Sequence, residues 1–149
     1  MRFSAILTLL AGVWVTSTAP LAQATRPSPS DLARADAVFL DMAQAYKQRD
    51  RRQLAALLPQ TRGHLLEPWA AYWALSARLD EASATDVQDF LSRYSGTYQE
   101  DRLRAEWLLQ LGRNRDWSAF NREYPRYRMG DDRSVRCYAL LAEHLATGL

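Results

Sequence analysis

The stretch from residue 96 to residue 124, Gly-Thr-Tyr-Gln-Glu-Asp-Arg-Leu-Arg-Ala-Glu-Trp-Leu-Leu-Gln-Leu-Gly-Arg-Asn-Arg-Asp-Trp-Ser-Ala-Phe-Asn-Arg-Glu-Tyr, most constrains the fold. It reads as one helix, a tight turn and a second helix. Thr97 and Glu100 have capping-box spacing, in which each side chain satisfies a backbone N–H that the helix start leaves open. Leu103, Trp107 and Leu111 recur at helical spacing with Leu108 beside them, so one face is apolar. Gly112 supplies the permissive backbone that a helix stop favours. Asp116 caps the next helix, whose face shows Trp117, Phe120 and Tyr124, and Pro125 closes it. Neither helix buries its stripe alone, so each needs neighbours of the same kind.

The rest of the chain supplies them. Ser30 or Asp31 caps a helix running to about Arg49, with Leu32, Ala35, Phe39, Ala43 and Tyr46 on its apolar face. Asp50 and Gln53 open a short helix carrying Leu54, Leu57 and Leu58, and Pro59 ends it. Glu67-Pro68 opens the next, with Trp69, Tyr72, Trp73, Ser76 and Leu79 on a broad face. Thr85 and Gln88 mark another start, followed by Val87, Phe90, Leu91 and Tyr94 and a Ser95-Gly96 stop. Asp131 or Asp132 begins a last helix, faced by Tyr138, Leu141, Ala142 and Leu145. No segment alternates with period two. The expectation is an all-α domain of about seven helices with short connections and antiparallel neighbours. A Phe-x-x-x-Tyr core occurs at Phe90–Tyr94 and again at Phe120–Tyr124, and Trp73 and Trp107 occupy the preceding helices. Such periods are typical of stacked helix pairs, as in tetratricopeptide-like solenoids, although the tetratricopeptide consensus is not met.

Residues 1–24 read as a secretory signal peptide. Arg2 gives a positive start, Ala5–Val15 is an uncharged apolar run, and Ala22-Gln23-Ala24 matches a small-x-small cleavage site, with cleavage expected after Ala24. The alternative, a membrane anchor, needs ~20 apolar residues, and this run is shorter. No transmembrane segment is expected once the signal is removed. Residues 25–30, with Pro27 and Pro29, read as a linker, and 31–149 as the helical domain. The mature chain is expected in a bacterial periplasm. Cys137 is the single cysteine, so no intramolecular disulfide forms, and its helical pattern suggests a small buried hydrophobe.

Charge bears on partners. The formal net charge is +2, and Lys47 is the only lysine. Arg102, Arg104, Arg113, Arg115, Arg122, Arg126, Arg128, Arg133 and Arg136 are interleaved with acids, which describes a mixed solvated surface rather than a nucleic-acid stripe. No nucleophile elbow, P-loop or Rossmann glycine pattern occurs. His64-Leu-Leu-Glu67 is a poor metal pair beside Pro68, and no metal ligand or cofactor-binding residue is assigned. The adjacent acids Asp80-Glu81, Glu100-Asp101 and Asp131-Asp132 suit helix starts, where they complement the dipole, better than a glycosidase pair. The tryptophans, set among leucines, suit a core better than sugar stacking.

Leu66-Glu-Pro-Trp-Ala-Ala-Tyr-Trp73, Phe90-Leu-Ser-Arg-Tyr-Ser-Gly-Thr-Tyr98, Asp101-Arg-Leu-Arg-Ala-Glu-Trp-Leu108, Leu111-Gly-Arg-Asn-Arg-Asp-Trp117, Tyr124-Pro125 and Val135-Arg-Cys-Tyr-Ala-Leu140 occur in series. Together they resemble the amino-terminal part of a proteobacterial soluble lytic murein transglycosylase. The resemblance implies a right-handed α-superhelix, the start of a U-shaped domain, in a periplasmic protein acting on peptidoglycan. It also implies a later lysozyme-like catalytic domain in which one glutamate cleaves between N-acetylmuramic acid and N-acetylglucosamine, leaving a 1,6-anhydro end without a metal or organic cofactor. The family's Glu-Ser motif is absent here, so no catalytic residue is carried over. The implied role is non-catalytic: framing the substrate and holding the catalytic domain. Arg102 and Arg104 are the candidate contacts to carboxylates of peptidoglycan stem peptides. The alternative is a free-standing periplasmic helical-repeat adaptor that binds another protein; a third reading is a hydrolase in its own right.

Overall fold

Each expected helix forms, and most begin at a side-chain cap. The structure, a computed structural model, describes residues 28–148. The expected signal peptide and residues 25–27 of the linker lie outside the described residues. Seven α-helices occur among the described residues, and no strand: α1 (Pro29–Gln48), α2 (Arg51–Leu57), α3 (Glu67–Ser76), α4 (Ala84–Arg93), α5 (Tyr98–Arg113), α6 (Trp117–Glu123) and α7 (Arg133–Thr147). Short 3-10 turns, Leu58–Thr61 and Tyr124–Arg126, extend α2 and α6. Among the described residues no helix is long and apolar enough to cross a membrane.

Asp50, Thr97, Asp116 and Asp132 cap α2, α5, α6 and α7 through their side chains, as the spacing predicts. Two starts differ. Ser28 caps α1: its hydroxyl accepts from the Asp31 N–H, while the Asp31 carboxylate accepts from the Ser28 N–H. Pro29 then occupies the first turn, where its missing N–H costs nothing, so the helix begins inside the expected 25–30 linker. At α4 the cap is Ser83 with Asp86, not Thr85 with Gln88. The Ser83–Asp86 bonds hold the Asp86 carboxyl below its usual pKa.

Two helix ends share one device. Arg49 (φ 58°) and Arg115 (φ 57°) sit in the left-handed region. Arg49 N donates to Tyr46 O and Asp50 N to Ala45 O; Arg115 N donates to Gly112 O and Asp116 N to Leu111 O. This is the Schellman arrangement, with arginine in the position that glycine usually takes. The aspartate that completes it also caps the following helix. Gly112 is therefore not the stop: it lies within α5, and a Cβ built there would meet the Tyr138 ring at 2.5–2.8 Å. Its bare backbone is what lets α7 approach α5.

α5 is the packing centre. It touches α3, α4, α6 and α7, while α1 packs on α2 and α3. The main core joins Tyr72 and Leu75 of α3, Val87, Phe90 and Leu91 of α4, Leu103, Trp107, Leu108 and Leu111 of α5, Phe120 of α6, and Val135 and Ala142 of α7. Burial of each large apolar side chain stabilises by about 1.5–3 kcal/mol. A smaller cluster of Met42, Ala45, Leu54 and Ala70 ties α1 and α2 to α3. The buried stripe of α1 thus runs through Met42 and Ala45 near its end, and Leu32 is exposed. On α7 the buried residues are Val135 and Ala142, while Leu141 and Leu145, expected on the core face, are exposed. Cys137, expected to be buried, is exposed, because it points away from the Val135–Ala142 stripe.

Grooves of one kind recur between the helices. The first is lined by Ala71, Ala74 and Leu75 of α3, by Arg78 just beyond it, by Asp86, Asp89, Phe90 and Arg93 of α4, and by Leu58, Pro59 and Thr61 of the first 3-10 turn. The second is lined by Trp107, Gln110 and Leu111 of α5, by Asn114 just beyond it, by Ala119, Arg122 and Glu123 of α6, and by Ala84 and Gln88 of α4. The α3 and α5 positions share the spacing i, i+3, i+4. Phe90 and Phe120 are both buried and each lies beside its own tyrosine, with ring centroids 4.8 Å and 5.6 Å apart, but only Phe90 lines its groove. Trp73 and Trp107 differ more: Trp107 lines the second groove, and Trp73 faces α1.

Gly112→Ala should destabilise the fold by about 1–3 kcal/mol through overpacking against Tyr138; a urea midpoint equal to that of the parent would exclude this close approach. Arg115→Gly should raise stability by about 0.5–1 kcal/mol by relieving the left-handed arginine. The same denaturation measurement checks it.

Candidate functional site

α1, α3 and α5 lie side by side and present a chain of rings that ends at Arg102. Helical spacing puts Trp69, Tyr72, Trp73 and Ser76 on neighbouring turns of α3. Trp73 meets Phe39 at 4.9 Å and Tyr46 at 5.8 Å, both from α1. Trp69 meets Trp73 at 6.0 Å, Tyr72 at 5.9 Å and Tyr98 of α5 at 5.7 Å. Phe39 stacks on His64 at 5.5 Å, and His64 Nε2 lies 3.0 Å from Asp36 Oδ1. Trp69 and Trp73 are half-buried and Tyr98 is exposed, so the rings both support the helix contacts and show an edge to solvent.

A polar cluster sits beside this edge. The Tyr72 hydroxyl donates to Glu106 Oε1 at 2.5 Å, and Ser76 Oγ donates to Glu106 Oε2 at 2.6 Å. Arg102 Nε lies 3.5 Å from Glu106 Oε1, one helical turn away. Burial first, and the Glu106 bond second, push the Tyr72 phenol well above its usual pKa, so it stays a donor. The Tyr72 oxygen, then Glu106 and Tyr98, hold the Arg102 guanidinium still more firmly protonated. The cluster can offer a cation and flat apolar rings to a polar ligand. It holds no nucleophile–base pair.

Of the two arginines expected as contacts, the structure brings only Arg102 to this surface. Arg104 points to the opposite side of α5 and is 6% exposed. Its guanidinium donates to Glu100 through Nη2 and to Glu123 of α6 through Nη1. Arg128 Nη2 donates to the other oxygen of Glu100 at 2.7 Å. Gln88 Nε2 and Arg126 Nη1 bond the second oxygen of Glu123 at 2.8 Å and 3.3 Å. Asp101 accepts the backbone N–H groups of Arg128 at 3.0 Å and Met129 at 2.7 Å. Glu100 and Asp101 therefore do more than complement a helix dipole: they pin the loop after α6. The signal was in the sequence, since positions 100, 104, 108 and 111 share one face of α5 with two leucines.

The remaining acidic pairs are structural. Asp80 and Glu81 both pair with Arg51, at 2.9 Å and 2.6 Å. Asp131 accepts the Tyr127 hydroxyl at 2.6 Å, which lowers its carboxyl pKa, and Asp132 caps α7. Among the described residues no group of three or more His, Cys, Asp or Glu side chains is placed to hold a metal ion. The groove between α3 and α4, about 280 Å³, carries Arg62, Arg78 and Arg93 against Glu67, Asp86 and Asp89, so its charges cancel.

Arg104→Ala should cost about 3–5 kcal/mol, because it leaves the buried carboxylates of Glu100 and Glu123 each without its buried cation, with only the peripheral Arg128, Arg126 and Gln88 still bonded to them. Arg102→Ala should cost no more than about 1 kcal/mol, as for an exposed pair. Equal losses in chemical denaturation would refute this division of roles. No known protein family, characterised protein or solved structure matches the chain.

Proposed function

We propose that this chain forms the opening turns of a right-handed α-superhelix of antiparallel helix pairs, and serves as the non-catalytic amino-terminal segment of a periplasmic protein resembling the lytic murein transglycosylases. The observation that carries the reading is the order of packing. The first helices of successive pairs touch in sequence, α1 on α3, α3 on α5 and α5 on α7. The second helices α2, α4 and α6 each touch the first helix of their own pair and of the next. Nearest-neighbour contact of this kind is how solenoids bury their stripes. The repeated groove positions on α3 and α5 support the same reading. In this role the ring edge at Trp69, Trp73 and Tyr98, with Arg102 beside it, faces the peptidoglycan that the parent enzyme processes.

A specific observation favours the second reading, a free-standing adaptor. Leu140, Leu141 and Leu145 of α7 are exposed together, a patch suited to a protein partner.

Purified residues 25–149 should co-sediment with peptidoglycan sacculi at low salt and release no muropeptides. Arg102→Glu should weaken co-sedimentation about fivefold, the scale of one exposed ion pair. An unchanged bound fraction removes Arg102 from the contact. No co-sedimentation removes the cell-wall reading and leaves the adaptor.

A further inference from the structure

The groove between α3 and α4 is neutral in sum but not along its length. Two cross-links show that the helices run antiparallel beside it. Arg78, just past α3, lies 3.4 Å from Asp86 in the first turn of α4. The Tyr94 hydroxyl, just past α4, donates to Glu67 at the start of α3 at 3.0 Å. Arg62 comes to the Glu67 end because the next residue, Gly63, donates its N–H to Glu67 at 2.8 Å. Arg93 stands at the same end: burial and the Glu67 bond raise the Tyr94 phenol above its usual pKa, and the neighbouring Arg93 charge opposes them. Asp89 lies about one helical turn from Arg93, towards the middle of the groove.

These charges differ in how far they are engaged. Arg78 and Asp86 neutralise each other, and Asp86 also closes the Ser83 cap. Glu67 accepts from Gly63 and Tyr94. Arg62, Arg93 and Asp89 line the groove and have no ion-pair partner among the described residues. The floor between them is apolar and low. Ala71, Ala74 and Phe90 lie there, whereas the second groove has Trp107 and Gln110 at the spacing that the two alanines hold in the first. The small side chains leave a cavity of about 280 Å³.

We propose that this groove binds a free dipeptide with apolar side chains, its carboxylate held by Arg62 and Arg93 and its ammonium by Asp89. Length decides for two residues. An extended chain spans about 3.3–3.6 Å per residue, and the four positions from Asp89 to Arg93 rise about 6 Å. A single amino acid is too short to reach both ends. A longer peptide carries its ammonium past Asp89 to the Arg78–Asp86 pair, which is already satisfied. The side chains lie over Ala71, Ala74 and Phe90, where burial of apolar area favours binding. Free termini are required, because an internal segment of a chain brings neither charge to the groove. The groove lies on the side of α3 opposite Trp69, Trp73 and Ser76, so the inference stands apart from the link to peptidoglycan.

The test is calorimetric titration of the 25–149 chain with alanyl-leucine. Binding should saturate, and should weaken about tenfold when the carboxylate is amidated or the amine is acetylated, the loss of one charge-assisted contact. Arg62→Ala, Arg93→Ala and Asp89→Asn change exposed residues, and each should weaken binding about fivefold with the circular dichroism of the fold retained. Ala74→Leu should abolish binding by filling the floor. The proposal is overturned if alanyl-leucine does not saturate, or if folded Ala74→Leu binds it as the parent does. It is also overturned if the amide binds equally, since no carboxylate is then captured, or if the acetylated form does, since the groove then takes the tail of a longer chain. Where Ala74→Leu does not fold, the three surface variants decide, and unchanged affinity in all three overturns the proposal. Failure of sacculus binding affects none of these outcomes, so the two readings fail separately.

Discussion

The buried guanidinium of Arg104 sets the arrangement of the carboxy-terminal half. Desolvating one cation and two carboxylates is costly, and the cost is offset only where the charged atoms find partners. Glu100 and Glu123 take the two Nη groups from α5 and α6, and Arg128, Arg126, Gln88 and the Gly96 N–H donate to the same carboxylates, while the buried Arg104 Nε has no partner. Three helices and one loop are thereby fixed by a single side chain. Apolar contacts tolerate small rotations, but these hydrogen bonds do not. The network specifies how α4, α5 and α6 meet, while Phe90, Trp107, Leu108 and Phe120 supply most of the burial energy around it.

That division recurs at the junction of α5 and α7. Gly112 removes the side chain that would hold the helices apart, and the Tyr138 ring lies against its bare backbone. A glycine in a helix interior weakens that helix by about 1 kcal/mol relative to alanine. Here the loss is traded for close contact with a ring. The aromatic edge of α1, α3 and α5 uses the opposite means. Large rings fill the contacts there, and Trp69, Trp73 and Tyr98 stay partly open to solvent.

Much of this was legible in the sequence. The all-helical class followed from apolar periodicity, and four caps followed from the placement of Asp50, Thr97, Asp116 and Asp132. What escaped reading depends on contacts distant in sequence. Gly112 looked like a helix stop because glycine usually is one; its role depends on Tyr138, far along the chain. Arg115 did not look like a stop because arginine rarely takes positive φ. Arg102 and Arg104 are near-neighbours in sequence, yet helical geometry turns one towards Tyr98 and the other into the α6 interface. Cys137 and Leu145 looked like core residues because their helix is amphipathic, but helical pattern does not state which side is covered.

The two arginine–aspartate reversals also bear on how such a chain can change length. Between α1 and α2, and again between α5 and α6, each connecting residue either closes the old helix or caps the new one. An inserted residue there would separate the carbonyls of one helix from the aspartate that opens the next. The connections at residues 62–66 and 77–83 carry fewer such duties, whereas 127–132 is held to α5 by Glu100 and Asp101. Insertions and deletions in relatives of this chain should therefore collect at those two places, and the helix–Arg–Asp–helix units should keep a constant length.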